Sequence, residues 1–417
     1  MSQPDDHTIS ASFVKAERGD KNILDAIERR LREQIFGQER AIEAVMRTLN
    51  RARFGFSAGN QHRPLACLLF LGPTGVGKTE TARCLARLLR ADSREAFLKI
   101  DCSLFSKGHE VSALVGAPPS YIGRDQKPML DPEIIEQPNS VVLFDEIEKG
   151  TSELWNLLLQ VMEDGELLLL NGGRRVSFRN SIVIFTSNVG AQEMIDFLGK
   201  RVIGFRTPNQ DVEATGKQIY QIGFEALQKV FTPEWINRLD EIIAFRPLAS
   251  DALGQVLDRM LLESNQQYLR YGLQVELTSE AREYFLQQGF DARFGARPLR
   301  QRLLKELDAN LADLLASGGI PHGSRVLVVA TGSVQYGEAL EFYYEPAPEL
   351  LDLSERLRAA EARQRRRKPD DAEGPSIGLA PGQEESGEER TSTTGTRATG
   401  IAGKSPWMPP RPVDLNE

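Results

Sequence analysis

The octapeptide Gly72-Pro73-Thr74-Gly75-Val76-Gly77-Lys78-Thr79 fits the spacing G-x-x-x-x-G-K-[ST]. Its glycines let successive backbone N–H groups turn onto phosphate, the Lys78 ammonium reaches the outer phosphates, and the Thr79 hydroxyl can ligate magnesium. The apolar run 141–144 stops abruptly at Asp145 and Glu146. Carboxylates at the carboxyl end of a buried parallel strand lie where open α/β sheets bind ligands. Asp145 there suits a hold on magnesium, and Glu146 suits polarising a water for in-line attack on a terminal phosphate. A third apolar run, 182–185, ends in Thr186-Ser187-Asn188. The Asn188 amide could bond the terminal phosphate or orient the water; equally, Ser and Asn there could cap a helix or make a turn. Each signal alone has an ordinary reading as a turn or a strand end. Together, the three point to hydrolysis of a nucleotide such as ATP with magnesium.

Chemistry of this kind needs a sheet that delivers three strand ends to one edge. Between about residues 65 and 190, short apolar runs at 65–71, 97–100, 141–144 and 182–185 alternate with helical segments. That pattern predicts βαβ units, a parallel sheet and an α/β fold of the P-loop type. The runs are apolar nearly throughout, as strands covered on both faces must be. Ile23, Leu24, Ile27, Leu31 and Ile35 recur at helical spacing ahead of them, followed by a second stripe through Ile42, Val45, Met46 and Leu49. From about 247 the pattern is helical through Leu253, Val256, Leu257, Met260 and Leu261, then gives short strands at 273–277, 325–330 and 339–344. The expected organisation is a leader over 1–20, a large domain over 21–246 and a smaller α+β domain over 247–345. After it comes 346–417, with one short helix through Leu350, Leu351, Leu353 and Leu357 and then a mostly disordered Gly, Ser, Thr, Glu and Pro-rich tail.

Composition removes other classes. The chain has 417 residues, 41% of them hydrophobic and 26% charged, so most of it can bury a core. A net charge of −8 has the wrong sign for a protein that mainly grips nucleic-acid phosphates, so no nucleic-acid partner is expected. No run approaches the ~18 apolar residues of a spanning helix, and the polar start of the chain has no apolar signal core. The expectation is a cytoplasmic protein with no membrane partner. Cys67, Cys84 and Cys102 sit in apolar stretches at spacings that fit neither a disulfide framework nor a zinc site, and read as reduced core residues.

With these motifs in place, the chain resembles the Clp-type AAA+ protein unfoldases, in particular their C-terminal ATPase module, over about residues 22 to 345. The likeness rests on the two nucleotide motifs, on Phe36-Gly37-Gln38 and on Gly116-Ala117-Pro118-Pro119-Ser120-Tyr121-Ile122-Gly123. It rests further on Asn156-Leu157-Leu158-Leu159-Gln160-Val161-Met162-Glu163-Asp164-Gly165, Phe231-Thr232-Pro233-Glu234-Trp235-Ile236-Asn237-Arg238-Leu239-Asp240 and Phe294-Gly295-Ala296-Arg297-Pro298-Leu299. The resemblance implies a place for Phe36 near the adenine and the first sensor role for Asn188. It also implies that Arg238 is an arginine finger reaching a neighbour's nucleotide, that Arg297 is a second sensor on a lid domain, and that the assembly is a homo-hexameric ring with a central pore. From spacing alone, Arg238 and Arg297 read as surface ion pairs. A guanidinium's planar, permanently charged fork suits charge on a γ-phosphate.

Tyr121, in a Gly/Pro-rich stretch without apolar periodicity, can grip an extended polypeptide of any sequence by apolar contact. By resemblance, Tyr121 and Ile122 belong to the pore loop that pulls substrate. The chain departs from the family at Ser120, at Gln126-Lys127-Pro128-Met129 and at Gly150-Thr151-Ser152. A second P-loop, a coiled-coil insertion and an N-terminal adaptor domain are not recognisable, so a single ring is expected. The tripeptide Ile203-Gly204-Phe205, between polar, turn-prone flanks, reads as an exposed loop tip. The family's loop at this place docks a Clp-type peptidase; the other reading is that Ile203 and Phe205 pack back on the large domain. The function expected is therefore ATP-driven unfolding of polypeptides threaded through the pore, with a Clp-type peptidase as partner. Its rivals are a remodelling ATPase working without a protease, a nucleotide-dependent assembly switch and a nucleic-acid motor on the same fold.

Overall fold

The computed structural model describes residues 22–53, 62–89, 96–116, 127–171, 173–203, 212–289, 291, 293–331 and 339–367. The apolar runs become strands: β1 (Ala66–Leu71), β2 (Phe97–Asp101), β3 (Ser140–Asp145), β4 (Glu166–Leu168), β5 (Arg175–Ser177), β6 (Ser181–Ser187) and β7 (Glu241–Ala244). Five of these pair side by side in the order β2-β3-β6-β1-β7, every neighbouring pair parallel. The architecture is thus the expected α/β parallel sheet. β1 and β6 are buried at every residue. Alternation sends Cys67, Leu69, Leu71, Phe144 and Phe185 into one core, and Ala66, Leu68, Phe70, Leu143 and Ile184 into another on the opposite face. Helix Ser152–Asp164 contributes Leu154, Leu158, Val161 and Met162 to the first. Helices Asn22–Gln34, Glu39–Arg53 and Lys78–Leu89 contribute Leu31, Val45 and Leu85 to the second. Double coverage is why these strands show no polar alternation.

The functional consequence lies in the register. β1, β6 and β3 are consecutive in the sheet, with Leu71 opposite Ser187 and Phe144 opposite Phe185. Parallel pairing therefore brings the loop after Leu71, the acid pair after Phe144 and the Thr186-Ser187-Asn188 turn to the same edge.

A third core belongs to the smaller domain. Helix Ser250–Tyr268 leads to β8 (Leu273–Leu277), helix Ser279–Gly289 and the helical stretch beginning at Arg297. β9 (Ser324–Thr331) and β10 (Ala339–Pro346) complete a sheet in the order β10-β9-β8, with β8 parallel and β10 antiparallel to β9. Leu257, Phe285, Leu299, Leu307, Val326 and Val328 pack together beneath it. Beyond β10 the chain departs from expectation, since helix Pro348–Arg367 runs for 20 residues where only a short helix is predicted. Its start is tied down by the Ala347 N–H donating to Gly323 O at 2.6 Å, and Leu350 is buried. Arg358 Nε donates to Arg270 O at 2.8 Å one turn after the buried Ser354. The remainder of the predicted tail, 368–417, and the leader over 1–20 lie outside the described residues.

The three cysteines are free and buried, as expected. Burial pushes the Cys67 and Cys84 thiols up to about 12. Among the described residues no helix is long and apolar enough to cross a membrane.

Candidate active site

The glycines of the 72–79 loop are required by its neighbours. At Gly72, with φ +147°, an added Cβ would lie 2.4 Å from the Phe245 carbonyl oxygen; at Gly75, with φ +74°, it would lie 2.1 Å from that of Phe294. Only a residue without a side chain lets the loop be wedged between β7's exit and the smaller domain. Lys78 and Thr79 open the helix Lys78–Leu89, with Gly77 O accepting from both the Thr81 N–H and its hydroxyl at 2.8 Å. The loop thus feeds a helix N-terminus, whose N–H groups favour an anion. Lys78 Nζ donates to Gly72 O at 2.5 Å and Pro73 O at 2.7 Å, inside the loop's own curl. Burial lowers the Lys78 ammonium to about 8, against the pull of Glu148, Asp145 and Glu146.

Asp145 closes β3 with its carboxylate toward the loop. Oδ1 accepts from the Thr186 hydroxyl at 2.5 Å and from the Thr79 hydroxyl at 3.2 Å, and Oδ2 lies 2.6 Å from Lys99 Nζ. Burial raises its pKa, but the hydrogen bonds from Lys99 and Thr186 outweigh that and hold the carboxyl below its ordinary range. Glu146 has φ +56°, a left-handed conformation uncommon outside glycine, so the chain turns sharply here and the side chain leaves the strand direction. The Glu146 N–H donates to Thr186 Oγ1 at 2.9 Å, and its carboxylate pairs with Lys149. The Asn188 N–H donates to Glu148 Oε1 at 3.3 Å; Glu148 Oε2 is buried without a hydrogen-bond partner.

Lys78, Thr79, Lys99, Asp145, Glu146, Thr186 and Asn188 line one cleft of about 360 Å³. Phe36, Leu248, Val256 and Met260 form an apolar end, while Lys78, Thr79, Asp145, Glu146 and Asn188 form a polar one. Arg297 and Arg300 reach it from the smaller domain. A flat apolar base at one end and a chain of phosphates at the other fit this division. Gln38, buried at 2% exposure, ties the first helices to the interdomain connection: its Nε2 donates to Arg246 O at 2.8 Å and its Oε1 accepts from the Arg246 N–H at 3.0 Å.

Arg238 lies elsewhere. It is half-exposed, pairs with Glu163 and does not line the cleft. Arg63 anchors its backbone, donating to Arg238 O at 2.5 Å and to Met162 O at 2.9 Å. Tyr121 and Ile122 lie outside the described residues, as do Gly204 and Phe205. Ile203 is the last residue of helix Ala191–Ile203, so the helix extends into the tripeptide read as a loop. Sequence reasoning missed Thr186, Lys99 and Glu148 as parts of the site. Lys99 was visible as the one cation in the otherwise apolar run 97–100, and Thr186 as a hydroxyl beside the Ser187-Asn188 end; neither shows its partner until the strands are in register.

The donor set also bears on a metal. Among the described residues no group of three or more His, Cys, Asp or Glu side chains could hold an ion. A hydroxyl and a carboxylate oxygen side by side instead fit magnesium, which takes one or two protein oxygens and completes its shell with phosphate and water.

Residues 63–242 match the family described as AAA domain (Cdc48 subfamily), and residues 248–328 match the C-terminal, D2-small domain of ClpB protein. The chain is 38% identical over 318 residues to the ATP-dependent Clp protease ATP-binding subunit ClpC of Staphylococcus saprophyticus, covering 76% of this chain and 37% of that one. It is 37% identical over 337 residues to the ClpC subunit of Staphylococcus aureus strain USA300, covering 80% and 39%. The chain thus spans about two fifths of the length of these curated relatives.

Proposed function

We propose that the chain is a Clp-type AAA+ ATPase, a reading supported by its two family matches and its ClpC relatives, and that it hydrolyses ATP in this cleft and spends the cycle on unfolding or remodelling polypeptides. The observation that carries the reading is the convergence of three adjacent strand ends on one cleft that the smaller domain roofs with Arg297 and Arg300. The backbone N–H groups of the 72–79 loop and the Lys78 ammonium hold the phosphates, and Phe36 borders the base. Magnesium, held by Thr79 and Asp145, would neutralise charge on the outer phosphates. Glu146 polarises the attacking water, with Asn188 orienting it. Arg297 reports the terminal phosphate to the smaller domain, so that loss of that phosphate lets the two domains move. In a homo-hexameric ring, Arg238 serves the neighbouring subunit and Tyr121 with Ile122 grip the polypeptide. Ile203, Gly204 and Phe205 dock a Clp-type peptidase, which would make the ring the feeding partner of a protease.

Two substitutions test the core of this reading. Lys78→Ala should lose nucleotide affinity, measured with a fluorescent ATP analogue. Glu146→Gln should bind nucleotide like the parent yet release phosphate about 10²–10⁴-fold more slowly, the usual worth of a positioned base. Parental turnover by Glu146→Gln would remove Glu146 from the role given to it.

A further inference from the structure

Asp145 carries a cation of its own. Lys99 comes from the middle of β2, one strand away, and its ammonium lies 2.6 Å from Asp145 Oδ2. The Thr79 hydroxyl lies 3.4 Å from the same oxygen. The ammonium therefore occupies the neighbourhood of the two protein oxygens assigned above to magnesium. The two lysines nearest the acid pair in sequence and loop are engaged elsewhere: Lys78 donates to Gly72 O and Pro73 O, and Lys149 pairs with Glu146. Lys99 is held by one end only. Its side chain is 39% exposed against 15% for Asp145, so a long flexible stem carries the charge in from solvent and can carry it out again.

A monovalent ammonium and a divalent ion cannot both sit against one carboxylate oxygen without strong repulsion in a partly buried site. We propose that Lys99 is a resident counter-cation of Asp145: it holds the carboxylate in place until the divalent ion arrives, is displaced by that ion, and so sets the magnesium concentration at which nucleotide binds tightly. This rests on the assignment of Thr79 and Asp145 as the metal's protein ligands. The competing description is a fixed surface ion pair that takes no part in loading, and it predicts no change in metal dependence when the ammonium is removed.

The test uses the full chain and reads binding, not turnover. Affinity for a fluorescent, slowly hydrolysed ATP analogue is measured across a magnesium titration for the parent, Lys99→Met, Lys99→Gln and Lys99→Arg. The metal's own affinity for the analogue in solution is common to all four and cancels in the comparison. Lys99→Met and Lys99→Gln should reach half-maximal tightening at about three- to fivefold less magnesium, the scale of a part-exposed ion pair, while Lys99→Arg should stay near the parent. An unchanged midpoint in both neutral variants, or a midpoint moved to higher magnesium, would overturn the inference while leaving the metal assignment standing. A parent whose nucleotide affinity does not respond to magnesium would overturn the metal assignment and this inference with it.

Discussion

The Thr186 hydroxyl joins two strand ends that the chemistry needs at fixed separation. It donates to Asp145 Oδ1 and accepts from the Glu146 N–H, from a side chain that is itself buried. Thr186→Val keeps the shape and deletes both bonds, leaving the Glu146 N–H unpaired at a residue already in a left-handed conformation. The expected cost is about 1–3 kcal/mol in stability, the penalty of an unsatisfied buried polar group, measured by denaturant unfolding. Phosphate release should fall more than nucleotide affinity, because Glu146 loses its place while the phosphate cradle keeps its own. Thr186→Ser should recover most of both, and a Val variant with normal turnover would show that Glu146 is positioned by something else. At this scale the 72–79 loop and the acid pair were legible in the sequence, since phosphate binding dictates residue type and spacing within a few positions. Thr186 and Lys99 were not, because what they do depends on residues about 40 positions away that only sheet register brings beside them.

Elements of the sheet were legible in proportion to their burial. β1, β3 and β6 stand out because each carries an unbroken run of at least four apolar residues, whereas β7 is four residues of mixed exposure at the sheet's edge and the β4–β5 hairpin has three residues per strand. What no pattern of apolar residues could reveal is the docking of the smaller domain onto the phosphate loop. The Ala296 N–H donates to Gly75 O at 3.1 Å, and at Gly295, with φ +56°, an added Cβ would meet Gly75 O at 2.5 Å and Thr74 O at 2.8 Å. The two backbones touch directly, so Gly295→Ala must either strain or push the domain away. Affinity for nucleotide should fall about tenfold or more, since the strain of a residue forced out of its conformation is about 1–3 kcal/mol and the displacement also shifts Arg297. Gly318→Ala separates the two causes: it shares the left-handed conformation, with φ +74°, but has nothing within 4 Å. That variant should lose stability and keep its affinity. Equal affinity losses in both would mean that the contact with the loop is incidental.

On the scale of the whole molecule, the role proposed for Arg238 requires a second copy of the chain. Arg297 and Arg300 line the cleft, but Arg238 stands on a separate surface, with Glu163 as its partner and Arg63 fixing its backbone at Met162 and Arg238 itself. Because Arg238 does not line the cleft of its own chain, the proposed finger role works only across an interface between copies. A ring supplies such an interface, because a head-to-tail contact closes on itself and gives every cleft one neighbour. Arg238→Ala alone should then cripple hydrolysis, since an arginine supplied by a neighbour is worth about 10³–10⁵ in rate where it has been measured in nucleotide hydrolases. Lys78→Ala alone should fail for a different reason. Mixed in equal amounts, the two can complement: a cleft from the Arg238→Ala copy keeps Lys78, and its neighbour from the Lys78→Ala copy keeps Arg238. Random mixing in a closed ring makes about one interface in four productive, so phosphate release should rise to roughly a quarter of the parental rate, above the sum of the separate variants. Native mass spectrometry would report whether mixed rings form. Mixed rings with no gain in rate would place the work of Arg238 within its own chain, where Glu163 already holds it.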